Sequence, residues 1–206
     1  MNGAKLQLSR EEIALVSDPG WILTKNSIME RGVGLMAGLS EGIRPELDRL
    51  QQMLAGEGPL PPNWAAPKIS KGENYLGLPY VVLDYPRLFG REDVLAIRTM
   101  FWWGHYFSVT LHLKGRYKDL FLPVIKARLR ELMDAGFHIA VSTDEWRHEV
   151  EVDNYRVLEE TVMNDIAEGH PFLKLSAKCG LDKWNEAPEI LFGLHKVLLR
   201  VLAAAH

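Results

Sequence analysis

The feature that most constrains this chain is a pair of extended, aromatic-rich segments, Leu95 to Trp102 and Tyr106 to Lys114, on either side of Gly104. β-Branched and aromatic residues at a two-residue period, split by a glycine, predict a β-hairpin. With Gly104-His105 as a two-residue turn, Trp103 opposes Tyr106 and Trp102 opposes Phe107. One face then carries Ala96, Arg98, Met100 and Trp102 beside Phe107, Val109, Leu111 and Leu113. The other carries Ile97, Thr99, Phe101 and Trp103 beside Tyr106, Ser108, Thr110 and His112. The first face is apolar apart from Arg98 and is expected to meet helices. The second is a sheet surface of hydroxyls and an imidazole.

Arg98 is the pointed residue in that arrangement. A guanidinium on an apolar face must find an anion, because an unpaired buried charge costs several kcal/mol. Asp84 on a neighbouring strand, Glu73, or the carboxylate or phosphate of a ligand would satisfy its fork. A structural ion pair, or a stem laid on apolar surface with its head in water, accounts for it equally.

Helical signals flank this β-rich centre. Ser9 and Glu12 form a capping box, so a helix starts at Arg10 and breaks at Asp18-Pro19-Gly20. From Trp21 to about Glu41, Met29, Val33, Met36, Leu39 and Ile43 recur at helical steps, with Gly34, Gly38 and Gly42 four apart. That glycine row suggests close backbone approach, and Gly42 is also a stop signal. Pro45 suits the first turn of a further helix carrying Leu47, Leu50 and Leu54. Residues 56–67, with four prolines and two glycines, form an irregular connection. Beyond it, Tyr80–Asp84 and the two hairpin segments form an antiparallel meander. Tyr117 to Ala135 is predicted helical, entering through Pro123 and ending at Gly136. Phe137–Ser142 and Phe172–Leu181 are strands, and Glu149 to Val152 fits an edge strand. Asn185 is placed to cap a last helix running to about Ala204. The expected fold is a single α+β domain over 1–206. It comprises a helical part (1–55), the connection (56–67) and a region of sheet and helices (68–206). An antiparallel sheet of five or more strands is packed by N-terminal, middle and C-terminal helices.

Composition narrows the function classes. Basic and acidic residues nearly balance, 24 against 27, and no Lys/Arg block occurs, so the footprint of a nucleic-acid binder is missing. No apolar run reaches the ~20 residues a bilayer span needs, and no signal-peptide pattern opens the sequence. Cys179 is the single cysteine, which rules out an intrachain disulfide and suits a reducing compartment. A cytoplasmic protein, without nucleic-acid or membrane partners, is the expectation.

No constellation spells out a reaction. His112, Thr110 and Ser108 alternate along one strand, but a Gly-x-Ser-x-Gly elbow is absent. Asp144, Glu145, His148, Glu149, Glu151 and Asp153 crowd together without metal-ligand spacing, and a solvated charge run explains them. Gly32 to Gly38 lacks phosphate-loop spacing, and His195 lies on the apolar stripe of the last helix, where a packed histidine is expected. The loops Lys68–Tyr75 and Asp84–Arg87 flank the first strand, where binding residues gather. The residues 71–87, Lys-Gly-Glu-Asn-Tyr-Leu-Gly-Leu-Pro-Tyr-Val-Val-Leu-Asp-Tyr-Pro-Arg, followed by Ile-Arg-Thr-Met-Phe-Trp-Trp-Gly (97–104), resemble an uncharacterised bacterial protein family. That resemblance brings no activity and no functional residues.

The predicted binding surface comprises Asp84, Tyr85, Arg87, Arg98, Trp102, Trp103, His105 and His112. It is expected to hold a small anionic ligand or a protein partner, aromatics giving area and arginine fixing the anion. Homodimerisation through the tryptophans would use the same surface. The alternative is a hydrolase with His112 or His105 as general base and Asp84 as its orienting carboxylate. Neither reading names a cofactor.

Overall fold

A computed structural model describes residues 6–53 and 64–205. Most of the predicted connection, residues 56–63, and Leu54 lie outside the described residues; 64–67 form neither helix nor strand.

The capping box is present: Ser9 Oγ accepts from the Glu12 amide at 3.1 Å, and Glu12 accepts from the Ser9 amide at 2.6 Å. It opens α1, Arg10–Ser17. Asp18 then accepts from the Gly20 amide at 2.9 Å and starts α2, Pro19–Met53. The predicted stop near Gly42 does not occur, because α2 runs unbroken through Gly42 and Pro45 for 35 residues. An interior proline costs about 3 kcal/mol. Beyond it Leu47 and Leu50 are fully buried, each contributing about 1.5–3 kcal/mol, so the continuous stripe from Met29 through Ile43 to Leu50 prevails. The close backbone approach also falls elsewhere. A methyl group at Gly32 would lie 3.1 Å from Phe101 Cδ1, whereas one at Gly34 or Gly38 would meet nothing within 4 Å.

Seven strands form one antiparallel sheet in the order β1-β2-β3-β4-β7-β5-β6. They are β1 (Lys68–Tyr75), β2 (Leu78–Phe89), β3 (Val94–Trp102), β4 (Tyr106–Lys114), β5 (His138–Ala140), β6 (Tyr155–Val157) and β7 (Phe172–Gly180). Lys68–Tyr75 is thus an edge strand instead of a loop, its lysines and Glu73 blunting an edge that would otherwise invite pairing. Asp84–Arg87 lies inside β2, where the register shifts across the cis Tyr85–Pro86 bond. Glu149 to Val152 is not a strand; residues 141–154 are irregular. The middle helix is two, α3 (Arg116–Ala127) and α4 (Leu129–Asp134), broken at Arg128, whose guanidinium turns to Glu131 and to the Arg200 carbonyl. After α5 (Glu160–Gly169), the last helix is α6 (Ala187–Ala203), capped at Glu186 without the predicted Asn185 side-chain bond.

The hairpin itself is offset by one residue from expectation. Trp102 opposes Tyr106, leaving Trp103, Gly104 and His105 as a three-residue loop. The His105 amide donates to the Trp102 carbonyl, and Gly104 takes a φ of +75°, where a side chain would be strained. Every β4 side chain therefore sits one place from its predicted partner. Ile97, Thr99 and Phe101 share a face with Phe107, Val109 and Leu111, and this face meets α2, α3 and α6 to form the main core. The opposite face carries Arg98 with Thr110, Ala96 with His112, and Met100 with Ser108. Arg98 is not a lone cation among apolar residues: it belongs to the polar face. Among the described residues no helix is long and apolar enough to cross a membrane.

Candidate functional site

In antiparallel strands directly opposed residues share a face, so the polar side of the sheet is laid out in rows. One row runs Asp84, Arg98, Thr110, Ser176; a second runs Ala96, His112, Lys174; a third runs Val82, Met100, Ser108, Lys178. Among the described residues no helix covers this side. It is roofed by the irregular segment 141–154, which crosses it between β5 and β6.

Side chains rising from the sheet hold that roof by its backbone. Lys174 Nζ donates to the carbonyls of Glu145 (2.9 Å) and Arg147 (2.6 Å), and Lys178 Nζ to that of Val150 (3.2 Å). The Tyr106 hydroxyl accepts from the Val150 amide at 2.7 Å, and the Tyr75 hydroxyl from the His148 amide at 2.8 Å while donating to the Glu149 carboxylate. Burial pushes both phenols up to about 12, reinforced at Tyr75 by the Glu149 carboxylate. Burial works to raise the Glu149 carboxyl as well, but hydrogen bonds from Tyr75 and Arg147 prevail and hold it below the usual carboxylate range. The charge run read as solvated is thus partly interior, Glu149 and Asn154 being buried.

Arg98 is engaged on two sides. Its Nε and Nη2 donate to the two oxygens of Asp84 at 2.7 and 2.9 Å, a bidentate fork. Its Nη1 lies 2.6 Å from His148 Nε2. A guanidinium has no lone pair to offer, so Nε2 is the acceptor and the His148 proton sits on Nδ1. Burial, with Arg98 and Lys174 nearby, pushes His148 down to about 2, and the ring is neutral at neutral pH. His112 is neutral for the same reasons, lowered to about 3 by burial, then by Lys174, Lys114 and Arg98. Its Nε2 lies 3.2 Å from Glu145 Oε2, yet off the hydrogen-bond direction, so neither atom has a hydrogen-bond partner.

Lys174 stands apart. Its side chain is 2% exposed, and no carboxylate of the described residues lies within ion-pair distance. Burial, then the Arg98 charge, pushes it down to about 8. Around it the charges cancel pairwise, Arg98 with Asp84, Lys114 with Glu145 (2.7 Å) and Arg147 with Glu149. The Lys174 ammonium forms no ion pair of its own, although Glu149, Asp144 and Glu145 act on it from a distance and oppose the lowering. It forms the floor of a cavity of about 10 Å³ lined also by Arg98, Thr110, His112 and His148. That is about the smallest volume that holds one water. At its mouth stand Phe89 and Trp146, with rings 6.3 Å apart, both substantially exposed.

Of the eight predicted surface residues, Asp84, Arg98 and His112 meet here. Trp102 shares the face but lies at its far end, packed by Tyr75 and Tyr106 and stacked by the exposed His105 at 3.6 Å. Tyr85 and Trp103 point to the helical side, with Trp103 beside Phe101, and Arg87 donates to the Ala66 carbonyl. The aromatic face is therefore a packed cluster, not an open concavity. The predicted Asp84–histidine pairing is also absent: both Asp84 oxygens serve Arg98, and no strand hydroxyl on this face reaches an imidazole, Thr110 being paired with Ser176 at 2.8 Å. The hydroxyl–imidazole contact that does occur, Thr99 to His195 at 2.7 Å, is sealed in the helical core. Among the described residues no three His, Cys, Asp or Glu side chains are grouped to hold a metal ion.

Sequence reasoning missed Lys174, Tyr75 and Tyr106 as site residues. A signal existed for the first: Lys174, Ser176 and Lys178 alternate with Leu173, Leu175 and Ala177, which marks one polar face of β7. Compared with family models, curated proteins and solved structures, the chain matches none.

Proposed function

We propose that the protein binds a small organic anion, a carboxylate or phosphate joined to a flat apolar group, on the polar face of its sheet beneath segment 141–154. One observation carries this reading: the Lys174 ammonium is buried against two carbonyls and touches no carboxylate of the described residues. A charge taken out of water is costly unless it is paired, and two carbonyls neutralise no charge. A protein needing only to fasten a loop would do so at lower cost with apolar side chains. When 141–154 lifts, its carbonyls leave Lys174, and an anion replaces them with His112 Nε2 alongside. Phe89 and Trp146 at the mouth would hold the flat part of the ligand. The hydrolase alternative lacks its expected geometry, since Asp84 gives both oxygens to Arg98 and is bonded to neither His112 nor His105.

Titration calorimetry with phenyl phosphate, benzoate and inorganic phosphate tests the reading. The two aromatic anions are expected to bind more tightly than phosphate, and Lys174→Met to weaken them at least tenfold. Absence of binding by all three, or affinities that Lys174→Met leaves unchanged, would reject it.

A further inference from the structure

Far from that face, residues 6–24 form a helical arm that no other described residue covers. Every residue from 6 to 24 is exposed, and the first buried position is Lys25. Within this stretch Leu6, Leu8, Ile13, Leu15, Val16, Trp21, Ile22 and Leu23 are large, apolar and 41–83% exposed. They account for more than half of the exposed large hydrophobics among the described residues, so the apolar surface is concentrated, not scattered. α1 buries no residue at all. Isolated helices shorter than about 12 residues are marginal in water, and a capping box contributes only about 1 kcal/mol, so eight residues need packing to stay helical. The angle between α1 and α2 encloses a notch of about 590 Å³, where Leu15, Val16, Pro19, Trp21 and Ile22 are joined by the polar Glu12, Ser17 and Asp18.

We infer that this arm is an interface between two copies of the chain, each arm laying its apolar side chains into the notch of the other. The area fits that occupant. Eight side chains exposed to this degree offer at most roughly 800 Å² per copy, which reaches one partner's share of a standard stable interface. A symmetric pair also needs a surface that does not repel itself. The arm's acids meet that condition: Glu12 is bound to the Ser9 amide at the start of α1, and Asp18 to the Gly20 amide at the start of α2. Both carboxylates face the positive end of a helix dipole, which offsets part of the arm's acidity. With one basic side chain, Arg10, against Glu11, Glu12 and Asp18, the arm has little to attract an anionic lipid surface. This interface is independent of the anion-binding reading and uses none of its residues.

Sedimentation equilibrium of the full chain across the micromolar range, with and without phosphatidylcholine vesicles, tests the inference. The wild-type protein is expected at twice the 23.4 kDa chain mass. Val16→Glu/Trp21→Glu alters two exposed positions, so its circular dichroism should match wild type while its mass falls twofold. Val157→Glu, exposed on the far edge of the sheet, should keep the doubled mass. A wild-type protein of single-chain mass throughout the range overturns the inference. So does a doubled mass that survives in the double variant, or a single-chain protein that sediments with the vesicles.

Discussion

Replacing Lys174 by Met puts a number on the cost of the buried ammonium. In the folded chain this amine sits at about 8 against an ordinary 10.5, so between those values the unfolded chain holds more protons and stability rises with pH. Each unit is worth about 1.4 kcal/mol, so full relief of the buried charge amounts to about 3 kcal/mol. From about pH 7 to about 9.5, wild-type stability should gain about 2 kcal/mol from this group alone. Cys179, raised by burial, and Tyr75 and Tyr106, raised to about 12, act in the opposite direction as the unfolded thiol and phenols ionise. Both proteins share those contributions, so they cancel in the difference. Urea unfolding of wild type and Lys174→Met at the two pH values gives the comparison directly. At pH 7 the variant also leaves the Glu145 and Arg147 carbonyls unpaired, costing about 1–3 kcal/mol each, against the relief of the charge. Its absolute stability is therefore less telling than its slope. If the two proteins respond to pH identically within a few tenths of a kcal/mol, Lys174 is not a buried charge, and the argument for an anion site falls with it.

Asp84→Ala should cost about 3–5 kcal/mol in chemical denaturation, because it strands the Arg98 guanidinium, whose side chain is only 23% exposed. Asp84→Leu/Arg98→Met should recover most of that loss, and a single variant as stable as wild type would contradict the pairing. Along α2, Gly34→Ala should gain up to about 1 kcal/mol from helix propensity, since open space receives its methyl group. Gly32→Val should instead lower the melting temperature by several degrees through contact with Phe101 and Val81; equal effects at the two glycines would refute the assigned packing.

Much of the architecture was legible along the chain because its signals are local. Ser9 and Glu12 announce α1 through bonds spanning three residues, and the period of two in β2, β3, β4 and β7 follows from the pleat. β1 escaped notice because Lys-Ile-Ser-Lys-Gly-Glu-Asn-Tyr buries almost nothing; only its ladder with β2 makes it a strand. The hairpin was recognisable, but its register turned on one residue in the loop. Polarity across the pair held the answer: Arg98 beside Thr110 and His112 separates polar from apolar, whereas the two-residue turn mixes them.

Sequence alone therefore determined the antiparallel sheet with helices on one side and most of its longer elements, which follow from near-neighbour chemistry. Only the tertiary structure decided that α2 passes straight through Pro45, that Arg98 is answered by Asp84 and His148, and that a charged segment folds inward over Lys174. Those outcomes depend on which side chains meet across dozens of residues. A buried charge is tolerated or refused by its neighbours in space, and spacing along the chain does not disclose them.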